Sequence, residues 1–135
     1  MTPGSVFFDR LFKFKDEETG RKLFVALGSV DGVYVVAKTT SQQHGRGRVF
    51  GCQPTDRFHN FYLPPSSCGL DGETWVCLDE FYEFDAATVL RKKFGGVIDA
   101  ICDLPAAIMK DLQACALGSD DLSELHERAI RASLV

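Results

Sequence analysis

No stretch of about 18 apolar residues occurs in this chain, so no membrane-spanning helix is expected. The first residues, Met1-Thr2-Pro3-Gly4-Ser5, have no basic flank followed by an apolar run, so they do not read as a secretory signal. A secreted disulfide framework shows an even, regularly spaced cysteine set. Here there are five, Cys52, Cys68, Cys77, Cys102 and Cys115, at irregular intervals. The expectation is therefore reduced thiols in the cytoplasm, several of them core fillers. There is no Cys-x₂₋₄-Cys pair, and Cys52, His59, Cys68 and Cys77 have no zinc-type spacing, so neither a metal nor a cofactor is expected. The glycine-rich phosphate loop, the dinucleotide fingerprint and the serine nucleophile elbow are missing too. Positive charge is not in excess, since the net charge is −4, and bulk attraction to nucleic acid is thereby disfavoured.

What is present is uneven. Residues 1–60 carry nine Lys/Arg against six Asp/Glu, and the remainder carries six against thirteen. A local basic surface is thus compatible with an acidic whole. The length of 135 residues suits one domain spanning 1–135. Eleven Phe residues favour strands and a core built from large units. Residues 4–14 read as a half-buried strand. Residues 22–28 and 33–38 read as central strands buried on both faces, joined at Asp31-Gly32, a pair that tolerates the positive φ of a tight hairpin. Shorter β-type pieces follow at residues 48–52, 58–63 and 74–84. The pattern predicts an α+β, mainly β fold: a small barrel over about residues 4–85 and a helical part over about 86–134. Residues 86–94 form a first short helix in this reading. Pro105 opens a second and Gly118 closes it. Ser119 caps a third, whose wet side carries the pairs Glu124–Arg128 and Glu127–Arg131.

The loop from Lys38 to Arg48 holds the residues best suited to chemistry. Thr39, Thr40 and Ser41 end a buried strand and offer small hydroxyl donors. Gly45 and Gly47 let backbone approach a ligand. Arg46 and Arg48 present forked cations that match phosphate oxygens. Arg57 and His59 fall near the same end if the sheet closes into a barrel. Arg21 and Lys22 stand just before a buried strand, and the sequence leaves open which of them faces a cleft. Asp79 and Glu80 lie in or beside a later strand, where one carboxylate is placed to act as a general base. A solvated hairpin loop with incidental charge is the plainer alternative for the Lys38–Arg48 segment.

The order of these features resembles the MazF/PemK (Kid-like, CcdB-related) toxin family across about residues 4–118. The match runs from Gly4-Ser5-Val6-Phe7-Phe8, through Arg21-Lys22-Leu23-Phe24-Val25-Ala26-Leu27, to Val33–Lys38 followed by Thr39-Thr40-Ser41. It then takes in Cys77-Leu78-Asp79-Glu80 and the helix at 105–117. The resemblance implies an SH3-like barrel, usually a homodimer, that cleaves single-stranded RNA without metal and is neutralised by a cognate antitoxin. Cys77 stands where the ribonucleolytic members often carry Arg. A barrel that only binds RNA or protein is therefore the second reading. On the first, Asp79 is the base that activates the substrate 2′-hydroxyl, and Arg21 stabilises charge on the phosphate. Thr40 and Ser41 donate to the same group, and His44 is the acid. Lys22, Lys38, His44, Arg46, Arg48 and Arg57 are expected to bind the RNA strand, with Phe58, Tyr62 or Trp75 stacking on its bases.

Overall fold

The computed structural model describes residues 1–135. Seven antiparallel strands form one sheet: β1 (Ser5–Lys13), β2 (Thr19–Val30), β3 (Val33–Thr40), β4 (Gly51–Gln53), β5 (Asn60–Leu63), β6 (Thr74–Asp85) and β7 (Ile98–Asp103). Their spatial order is β4-β5-β6-β3-β2-β1-β7. Three helices accompany them, α1 (Ala86–Phe94), α2 (Ala106–Leu117) and α3 (Glu124–Ala132). The fold is α+β, as expected, but the sheet is open rather than a closed barrel, since β4 and β7 remain unpaired edges. No helix is long and apolar enough to cross a membrane.

The central hairpin follows from its turn. Asp31 and Gly32 adopt φ of 50° and 74°, the left-handed pair that matches the natural twist of two flanking strands. Strand alternation then sorts the side chains of β2. Val25 and Leu27 enter one core, shared with Val6, Phe61, Leu63, Leu78 and the buried residues of α2, including Met109 and Leu112. Phe24 and Ala26 enter a second, with Phe7, Val36 and Val89 of α1, ringed by Phe12, Tyr82 and Phe84. Gly28 is where α3 rests on β2. A Cβ there would overlap the Ala129 carbonyl, so only glycine lets the helix backbone approach. Asp9, fully buried, accepts from Lys92 Nζ at 2.7 Å and from Leu11 N at 3.0 Å, which ties α1 to β1.

Three local sequence expectations change. The region after residue 85 is not all helix, because Ile98–Asp103 adds β7 to the free side of β1. Ser119 does not cap α3. Its hydroxyl donates to the Leu78 carbonyl, and Ser123 caps the helix instead, accepting from His126 N at 3.1 Å. Glu127 pairs with Arg131 at 3.1 Å, but Arg128 reaches Asp31 at 2.7 Å rather than Glu124.

The largest correction concerns the thiols. Cys52 is bonded to Cys115 and Cys68 to Cys102, leaving only Cys77 free, and that one is buried. Cys68 belongs to a single 3-10 turn, Ser67–Gly69, between β5 and β6, and Cys102 lies on β7. The second bridge therefore joins one side of the sheet to the opposite edge. The sheet curls around the first core far enough for the two to meet, and the closure is covalent rather than hydrogen-bonded.

Candidate functional site

One cleft gathers Arg21, Lys22 and Leu23 at the start of β2 with Thr39, Thr40, Ser41 and Gln42 at the end of β3, together with Phe8 and Thr74. The β1–β2 register sets Phe8 opposite Leu23, so Phe8 and Arg21 share a face. The Arg21 guanidinium lies 3.6 Å above the Phe8 ring, a cation–π contact that fixes its plane. Thr39 is buried and donates to the Leu23 carbonyl at 3.2 Å, which holds the two strand ends together. Thr40 Oγ1 accepts from Gln42 N at 3.1 Å, and its own proton remains to be donated. Ser41 is exposed. No carboxylate lines this cleft. Arg10, Arg48, Arg128 and Arg131 each have a carboxylate within 3.1 Å, whereas Arg21 has none. An exposed, uncompensated guanidinium stacked on Phe8 beside hydroxyl donors is an anion site by charge and by hydrogen-bonding capacity.

Lys22 points the other way along the strand and joins this cleft to a second hollow that holds Lys15, Lys38, Glu80, Tyr82, Phe12 and Phe14. Burial lowers the Lys22 pKa below that of a free lysine. Lys38 Nζ is 3.4 Å from Glu80 Oε2, and Lys15 also reaches Glu80 at 3.4 Å. Against the cost of burial, the Tyr82 hydroxyl and these two ammonium groups hold the Glu80 carboxyl below its usual range. Burial first, and Glu80 second, push the Tyr82 phenol up. Cys77 is buried nearby and burial raises its pKa, so it stays a neutral thiol.

Asp79 is not in the Arg21 cleft. It lines a separate one with Asp56, Arg57, Phe58, His59, Asp120 and Asp121. The cause is a wide irregularity in the β3–β6 ladder. Ala37 pairs with Phe81 and Thr39 with Val76, so the four residues Cys77–Glu80 lie against the single Lys38. Such a bulge re-aims the side chains it carries. The expected triad of cation, hydroxyls and carboxylate is thus split: Arg21, Thr40 and Ser41 are together and Asp79 is apart.

The remaining expected RNA contacts scatter. His44 is exposed, with positive φ, and bonds Gln42 Oε1 at 2.6 Å. Arg46 donates to the backbone carbonyls of Gln42 and Gln43 and so braces its own loop. Arg48 pairs with Glu73 at 2.8 Å. Arg57 sits 5.2 Å over Phe58, in the Asp79 cleft. Trp75 is buried and donates to the Gly47 carbonyl at 2.8 Å, and Tyr62 is buried with its hydroxyl on Glu73, so neither offers a stacking face. Phe58 is exposed.

A third group was not legible in the sequence. Cys52 on β4, His59 just before β5 and Cys115 on α2 bring their ligand atoms within 4.8 Å of one another. His59 Nε2 lies 3.6 Å from Cys115 Sγ and 2.6 Å from the Cys115 carbonyl oxygen. Set against known protein-family models and curated proteins, the chain matches none.

Proposed function

We propose that this chain binds single-stranded RNA at the Arg21 cleft and cleaves its phosphodiester there. On this reading it is the toxin of a type II toxin–antitoxin pair, acts in the cytoplasm as a homodimer, and belongs with the SH3-like MazF/PemK toxins. One observation carries the proposal: an acidic chain reserves a carboxylate-free cleft for an unpaired arginine and two strand-end hydroxyl donors, Thr40 and Ser41. A phosphodiester fills that need. Its oxygens accept from the Arg21 fork, from Thr40 Oγ1 and from Ser41. The chemistry is attack of the neighbouring 2′-hydroxyl on phosphorus, with departure of the 5′-oxygen and formation of a 2′,3′-cyclic phosphate. Arg21 stabilises the charge that gathers on the phosphoryl oxygens. With Asp79 in another cleft and the Lys22 side chain on the opposite face of the strand, the 2′-hydroxyl gives up its proton to water. The departing 5′-oxygen takes its proton from water in the open cleft. An acidic disordered segment of an antitoxin would neutralise the toxin by covering the same cationic surface.

Incubating the protein with a long single-stranded RNA in excess chelator tests this. Defined fragments ending in cyclic phosphate, lost in Arg21→Ala, are the expected result. RNA left intact over a wide protein range would defeat the cleavage claim. The second reading, a barrel-like module that binds without cutting, is favoured by the displacement of Asp79 from the cleft. It would be recognised by RNA that is retained but uncut, with retention lost in Arg21→Ala.

A further inference from the structure

We infer that Cys52, His59 and Cys115 form a zinc site that exists when their disulfide is reduced. The three come from elements that pack together independently of any metal. β4 and β5 pair through Cys52–Phe61 and Gln53–Asn60, and α2 packs on both strands. The register leaves Cys52 facing Cys115 across the edge of the sheet, and His59 lies at the entrance to β5 beside them.

One of the three distances already fits a tetrahedral ion. With Zn–S of about 2.3 Å and Zn–N of about 2.05 Å, two ligands on one zinc lie about 3.6 Å apart for S and N, and about 3.8 Å for S and S. His59 Nε2 is already 3.6 Å from Cys115 Sγ. The sulfur–sulfur separation must grow, and breaking the S–S bond does this, because two unbonded sulfurs cannot stay at bonding distance; Cys52 Sγ and His59 Nε2, now within 4.8 Å, must settle at about 3.6 Å. His59 Nε2 must also release the Cys115 carbonyl, which it now meets at 2.6 Å, and take the tautomer with its proton on Nδ1. The fourth position opens toward a hollow lined by Phe50, Gly51, Ala114 and Asp111. Asp111, one helical turn before Cys115 on α2, lines the same hollow and can accept from a water at the fourth position. Two thiolates neutralise the ion, which suits a site whose Cys115 is buried.

The steps balance. A dithiol reductant delivers two electrons and two protons to the disulfide, giving two thiols, and is itself oxidised to a cyclic disulfide. Zinc then displaces the two thiol protons and takes both thiolates and the neutral imidazole. The other bridge, Cys68–Cys102, belongs to no such cluster of ligating groups and serves as an internal control. The inference is independent of RNA binding, because no residue of this trio lines the Arg21 cleft.

The test uses the full chain, reduced by excess dithiol and then freed of it under anaerobic conditions. One equivalent of zinc should remain bound per reduced chain after gel filtration, and none per oxidised chain. Cobalt in place of zinc should give the intense visible bands of a tetrahedral site and a sulfur charge-transfer band. Cys52→Ser and His59→Ala should each weaken binding at least 100-fold, whereas the Cys68→Ser/Cys102→Ser double variant should keep one zinc. If the reduced chain loses its fold, zinc should restore its circular dichroism in the wild type but not in His59→Ala. Failure of the reduced chain to hold stoichiometric zinc would overturn the inference. So would equal binding by His59→Ala, or cobalt spectra lacking tetrahedral intensity.

Discussion

Two clefts cut by the same sheet have opposite characters. Around Arg21 the lining is cationic and hydroxyl-rich, with no carboxylate. Around Asp79 four aspartates, Asp56, Asp79, Asp120 and Asp121, face one arginine and one histidine. One Asp79 carboxylate oxygen is buried with no hydrogen-bond partner. The first cleft has donors awaiting an acceptor, and the second has acceptors in surplus. A few residues of one strand, from Thr74 to Asp79, separate them. Charge sorting therefore depends on local strand geometry rather than on which residues are near in sequence.

The two clefts differ most sharply in what Arg21 and Asp79 do to RNA cleavage. Removing a preorganised donor from a reacting oxyanion costs roughly 100-fold or more in rate. Arg21→Ala should lower RNA cleavage by about that factor, while Asp79→Asn changes it less than about threefold. Steady-state cleavage of one RNA by both variants reads this directly, and a reversed pattern would assign the chemistry to the wrong cleft. Thr40→Ala and Ser41→Ala should each cost about tenfold, the size of one hydrogen bond to a charged acceptor.

Lys22 sharpens the contrast through pH. Its folded pKa lies below that of free lysine because of burial, so its charge is lost at a lower pH than elsewhere. RNA affinity should fall as pH rises through that pKa, because a cation disappears. Lys22→Arg keeps its charge throughout. It should abolish that trend, as seen in binding profiles from pH 7 to 10. The smallest effect is on stability. Asp79→Asn relieves repulsion among the clustered carboxylates and neutralises a group with an unpaired buried oxygen. That should raise stability by about 1 kcal/mol, or a few degrees in Tm by calorimetry.

Much of the molecule was readable from local chemistry. The Asp31-Gly32 turn, the long runs of β2 and β3, the helix after Asp85 and the one after Pro105 all carry their signal within a few residues. Strand alternation also required Arg21 and Lys22 to face opposite sides. Which of them met Thr40 depended on the distant partner Phe8. The unreadable parts were non-local. Nothing in Cys77-Leu78-Asp79-Glu80 announces that four residues will lie against Lys38, and that one irregularity removed Asp79 from the expected site. Nor does cysteine spacing reveal pairing. Cys52 and Cys115 are 63 positions apart and meet only because α2 lies over the edge strand. β7 reads as helix-flanking sequence until β1 offers it an unpaired side.

The bridge between Cys68 and Cys102 gives the curled sheet a seam of a different kind from its other joints. A ladder of hydrogen bonds would fix the girth of such a sheet residue by residue. A single sulfur link fixes it at one point and can be undone by electrons. The roundness of this fold is therefore set in part by its chemical surroundings. In a reducing medium the same sequence should breathe along the line from the β5–β6 turn to β7, with the amides of β7 the first to exchange with solvent.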